Sequence, residues 1–141
     1  MLQFNPKNKE LPYFVIPFQI PGLNEYLSQC NRSPHTGNKM KQDNTMLICN
    51  CIRRYLKRKH FDKKIILHYH IYVTDKKHDK DNIFAMVSKC TQDALVRTKV
   101  IDNDGWKNIE NFTHDFFVSN KPCIIVYLEE IDDWKEINQW H

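Results

Sequence analysis

The sequence predicts a single α+β domain, with a small β-sheet packed against two main helices. Three observations carry that reading. Runs of β-branched and aromatic residues at 13–18, 64–74 and 123–128 read as strands. Two longer stretches, about 39–59 and 81–98, repeat apolar residues at helical spacing. Only three glycines and six prolines in 141 residues argue against an all-β, turn-rich build. The length suits one domain spanning 1–141, with 1–11 and 131–141 peripheral, and 41% hydrophobic with 12% aromatic residues marks a chain that buries a core.

In chain order, residues 1–11 are polar and read as frayed. Pro17 confines the first strand, 13–18, to a strand end or a sheet edge. Pro21-Gly22 marks a turn, which Leu23-Asn24-Glu25-Tyr26 leaves, and 31–38 is loop-like in its Asn, Ser, Pro and Gly. In the helix over about 39–59, Met40, Asp43-Asn44, Leu47, Cys51, Tyr55 and Arg58 trace a stripe that Met46, Ile48, Ile52 and Leu56 broaden. Residues 64–74 are the strongest strand signal. Ile66, His68, His70 and Tyr72 share one face, and Ile65, Leu67, Tyr69, Ile71 and Val73 the other. A packed or hydrogen-bonded role suits the two histidines better than metal ligation. Asp81-Asn82 caps a helix with inner face Ile83, Met86/Val87, Cys90 and Ala94, which stops by about Thr98. Residues 106–117 form a strand or an irregular extension, Lys121-Pro122 a turn, and 123–128 the closing strand; the tail from Ile131 is too short to classify.

No apolar run approaches membrane-spanning length, and the first seven residues lack the layout of a signal peptide, so a cytoplasmic protein without membrane contact is expected. Five cysteines (Cys30, Cys49, Cys51, Cys90, Cys123) are odd in number and irregular in spacing, which fits reduced thiols. Cys49-x-Cys51 has no second Cys or His pair at zinc-finger spacing. The net charge of +4 is uneven. Arg53, Arg54, Lys57, Arg58, Lys59, Lys63, Lys64, Lys76 and Lys77 crowd the middle, while Glu129, Glu130, Asp132, Asp133 and Glu136 make the end acidic. The run from Arg53 suits a helix C-terminus and equally a phosphate-facing surface.

The chemistry concentrates between Asp75 and Lys107. Asp79 and Asp81 alternate, so in an extended segment both carboxylates project to one side, and Asp104 joins them if its turn lies beside the same end of the helix. Magnesium takes one or two carboxylates plus water and supplies what phosphodiester hydrolysis needs. Without a dication three such carboxylates repel, which raises at least one pKa. The duller roles are a helix cap for Asp81, a turn for Asp104-Gly105 and a lysine pair for Asp79.

Asp79-x-Asp81-Asn82, then Asp93-Ala94-Leu95, then Asp104 after a polar acidic turn, resembles the RusA family of Holliday-junction resolvases. The strand at 13–21 with Asn24 and Tyr26, and the long helix before the central strand, extend the resemblance over roughly 12–130. It implies a small mixed sheet, a homodimer, and a magnesium-dependent (manganese-tolerant) endonuclease that nicks four-way DNA junctions in recombination and repair, with no small-molecule cofactor. Asp79, Asp81 and Asp104 would be the metal-binding catalytic residues. Lys76, Lys77, His78, Lys80 and Asn82 would contact DNA, Asn82 also orienting Asp81. The family's catalytic lysine lies one turn past the second aspartate, where this chain has Ala85. Counted back from Asp93 the match is Lys89, roughly 12 Å along a regular helix from Asp81. Asn103 and His78 also depart from the usual aspartate and basic residue. Two other readings keep part of this picture: a non-catalytic DNA-binding protein, and a magnesium nuclease acting on other branched DNA.

Overall fold

The computed structural model describes residues 11–131. Its elements are β1 (Tyr13–Ile16), α1 (Leu23–Arg32), α2 (Pro34–Leu56), β2 (Ile65–Val73), α3 (Lys80–Arg97), β3 (Ile109–Val118) and β4 (Cys123–Glu130). The ends expected to be peripheral, 1–11 and 131–141, fall almost wholly outside the described residues. The architecture is α+β, a four-stranded mixed sheet with three helices rather than two.

The strand order is β1-β4-β2-β3. β4 pairs antiparallel with both β1 and β2, whereas β2 and β3 run parallel and are joined through α3. A parallel pair needs a crossover of this length, and the helical period of 80–97 provides it. Its apolar positions Met86, Val87, Cys90, Ala94 and Leu95 are buried in the core, where Ala94 meets Cys49 of α2. On β2 the face of Ile65, Leu67, Tyr69 and Ile71 is buried, in register with Leu128, Val126 and Ile124 of β4, which in turn carry Phe14 and Ile16 of β1. Pro17 follows β1, an edge strand, where a missing amide costs no ladder bond.

Two expectations about the helices are corrected. The stretch 31–38 is not a loop: α1 ends at Arg32 and α2 begins at Pro34, with Ser33 alone between them. Ser33 Oγ accepts the Thr36 amide at 3.0 Å and Pro34 occupies the first turn, so residues that read as loop are a helix cap and start. Gly37 lets α1 lie close, since a Cβ there would come within 2.4 Å of Cys30 Sγ. The buried face of α2 is Thr45, Ile48, Cys49, Ile52 and Leu56. Leu47 and Tyr55, placed on the central stripe by spacing, are 48% and 40% exposed, so the stripe sat one residue off the true face.

The β2 histidines behave as packed groups. His68 bonds Thr113 Oγ1 through Nδ1 and Glu129 Oε1 through Nε2, each at 2.8 Å. His70 is fully buried with its ring edge-on to Phe117 and Tyr127. The five cysteines are free thiols. Among the described residues no helix is long and apolar enough to cross a membrane.

Candidate active site

β2 and β3 are parallel, so their carboxyl ends lie side by side, and α3 starts from the same edge. Crevices of this kind, beyond the carboxyl ends of parallel strands, are where open α/β sheets place ligands. Here the crevice is a cleft of about 790 Å³. Val73, Phe116, Phe117 and Val118 form its strand wall; Asp75, Lys76 and His78 come from the connecting loop, and Asp79, Lys80, Asp81 and Ile83 from the start of α3.

Asp79 is the N-cap residue of α3, two positions earlier than expected, yet its side chain makes no capping bond. That carboxylate is therefore not committed to the helix. Asp81, in the first turn, accepts the Asn82 amide through Oδ1 at 2.8 Å and keeps its second oxygen. Both residues are exposed, at the end of α3 where the helix dipole is positive. Asp75, not among the expected site residues, also lines the cleft; its Oδ1 accepts the Lys77 amide at 2.9 Å. The only sequence signal for it was its place at the head of the same charged run.

The cations divide. Lys76 and Lys80 line the cleft, and Lys80 Nζ stands 5.7 Å from the centre of the Phe116 ring. His78 lines it too, whereas Lys77 is exposed outside it. Lys89 is on the flank of α3 and pairs with Asp93 at 3.5 Å, with Lys41 on that carboxylate's other oxygen at 3.5 Å. It does not line the cleft.

Asn82 turns away from the cleft. Its carboxamide oxygen accepts the Asn24 amide at 2.8 Å, which is one of the donors left open at the start of α1. Gly22, the N-cap of α1, has no side chain to do this, and a Cβ there would meet Asn82 Nδ2 at 2.5 Å. Asn82 thus caps α1 from α3 and fixes the two helix starts together.

Asp104 stands at the other end of α3. Asn103 Oδ1 accepts the Gly105 amide at 2.8 Å and Gly105 carbonyl accepts those of Asn108 and Ile109, so the turn is held beyond the helix C-terminus. There Asp104 lines a shallow depression with Asp93, Val96, Arg97 and Asn103. The 18 residues of α3 put about 27 Å between the two ends. Within one chain the structure brings Asp79 and Asp81 together and leaves Asp104 apart, and among the described residues no three His, Cys, Asp or Glu side chains are grouped so as to hold a metal ion. The expectation that Asp104 joins the pair rested on its turn folding back along the helix; the helix instead runs straight to that turn.

Comparison with protein-family models finds no match, and comparison with curated proteins finds none either.

Proposed function

We propose that the chain is a magnesium-dependent nuclease acting on branched DNA, a four-way junction first among its substrates. The observation that carries this is the pairing of Asp79 and Asp81, two carboxylates not consumed by the fold, with Lys76 and Lys80 in one cleft. A hard dication that retains several waters needs no more than one or two carboxylates. The donor set therefore fits magnesium or manganese, and Asp79 and Asp81 would hold it. When bound, such an ion supplies an activated water and neutralises charge at phosphorus.

The chain's own residues do the rest. Lys76 and Lys80 attract the phosphate oxygens, and the Phe116 face steers the Lys80 ammonium toward the cleft. The α3 N-terminus directs open backbone amides at the same anion. Lys89, committed to Asp93, supports the fold of α3 and has no part in the step. Asp104 contributes only if a second copy lies antiparallel along α3, which a two-fold homodimer allows; each site then draws Asp79 and Asp81 from one protomer and Asp104 from its partner. The resemblance to the RusA family agrees with such a dimer and with a junction as substrate.

The deciding experiment incubates a labelled immobile junction with protein and magnesium, beside chelator and beside Asp81→Asn. Paired nicks that need both the metal and Asp81 are expected, with junction binding kept in the variant. Binding without cutting across several divalent metals would instead assign a DNA-binding protein. Equal cutting of flaps or linear duplex would move the substrate, not the site.

A further inference from the structure

A second basic site lies at the far end of the molecule from the cleft. Arg53, Lys57 and Arg58, at the end of α2, face Lys99, just past the end of α3, across a cup of about 680 Å³. Among the described residues none of these four cations forms an ion pair. His60 lines the same cup but is already engaged: Nδ1 bonds the Lys99 carbonyl at 2.7 Å, and Nε2 lies 3.2 Å from Asp62 and 3.8 Å from Asp102. It braces the Lys99 turn and leaves the open charge to the other four.

The backbone adds an independent sign. The described chain has two non-glycine residues at positive φ, Lys57 at 57° and Lys99 at 65°, and both line this cup. A side chain is disfavoured at positive φ, and glycine is the residue that adopts such a backbone freely. Strain of this sort gathers at binding sites, where the side chain is wanted more than the relaxed backbone. Charge alone would serve the helix ends equally well from the unstrained positions Arg53 and Arg97.

We propose that this cup, formed by Arg53, Lys57, Arg58 and Lys99, is a second phosphate-binding site that grips the backbone of a DNA arm away from the cleavage cleft. The inference rests on the nuclease reading for its ligand. The cup and the cleft are separated by the length of α3, about 27 Å, which at 3.4 Å per step is about eight base pairs. It therefore holds an arm and plays no part in the chemistry.

The test is Lys57→Gly/Lys99→Gly. Glycine removes both charges and relaxes both turns, so the melting temperature stays at or above that of the native protein. Each lost phosphate contact weakens binding about eightfold at 0.1 M salt, so the dissociation constant for a junction with 12-base-pair arms rises about sixtyfold. The slope of log affinity against log salt becomes shallower by about two. Arg53→Gln/Arg58→Gln, which leaves the strained turns untouched, reproduces the loss. Lys39→Ala/Lys121→Ala, with the same change of net charge, alters binding less than threefold. With 6-base-pair arms the native protein and the glycine variant bind alike.

An unchanged constant and slope in both cup variants, or an equal loss in the Lys39/Lys121 control, overturns the proposal. So does binding of polyglutamate that the cup variants lose while junction binding is untouched, which would assign the cup to an acidic protein. Cleavage by native protein without any dependence on the cup removes this site and leaves the nuclease reading standing. Cup-dependent binding without magnesium-dependent cleavage does the reverse.

Discussion

Removing the Asn82 carboxamide uncaps a helix that lies 58 residues earlier in the chain. In Asn82→Ala the Asn24 amide loses its acceptor at 2.8 Å, and Gly22 has no side chain to replace it. Loss of a capping acceptor costs about 1–2 kcal/mol, and the bond's exposure to water places the effect toward the lower end. For a chain of this size that is a fall in melting temperature of roughly 3–8 °C. Asn82→Asp keeps an acceptor oxygen in the same place and should recover at least half of the loss. Thermal unfolding followed by far-ultraviolet circular dichroism at pH 7.5 measures all three proteins. Melting of the alanine variant within 1 °C of the native protein, or an aspartate variant as unstable as alanine, would falsify the long-range cap. Because Asn82 follows Asp81, the alanine variant also loosens the start of α3, so cleavage should fall as well, with binding less affected.

Three further outcomes follow from the core. Burial holds the His70 imidazole below its ordinary pKa, against a smaller opposing pull from Asp115, while His68 adds to the lowering. The unfolded chain then binds more protons than the native one below about pH 6.5, so this contribution to stability is full above that value and is lost as pH falls toward the native pKa. Urea unfolding from pH 7.5 to 5 should show a slope of up to about 1.4 kcal/mol per pH unit from this group, which His70→Phe flattens; an identical slope in the variant refutes it. Tyr69, its phenol pushed up to about 12 by burial, shares a 2.7 Å hydrogen bond with Thr91. Tyr69→Phe should cost about 1 kcal/mol in the same urea assay, and Tyr69→Phe/Thr91→Val should cost less than the sum of its two single changes. Gly37→Ala should destabilise by about 1–3 kcal/mol through its clash with Cys30, and Cys30→Ala in that background should recover part of the loss; no recovery would locate the strain in the helix backbones.

β1, β2, β4 and α3 were legible in the sequence because their signals are local, whereas the residues of β3 read equally as a strand or an irregular extension. Alternation over 64–74 places Leu67 and Tyr69 on one face and His68 and His70 on the other whatever the neighbours are. The charged run at 75–81 likewise fixes Asp79 and Asp81 within one turn of each other, and Pro17 limits its strand to an edge. Other features depend on partners far along the chain. Ser33 and Pro34 read equally as loop and as a helix junction until α1 packs on α2 through Gly37. The buried side of α2 is set by which flank meets the sheet and α3, so Leu47 and Tyr55 point outward despite their spacing. Whether Asp104 meets Asp79 depends on the path of a turn that Asn103 and Gly105 close beyond the helix C-terminus, and no pattern in the residues reveals that path. Local spacing determined which residues sit near one another along each element. The tertiary structure alone decided which ends of those elements meet, because packing and loop closure act between positions that the sequence keeps apart.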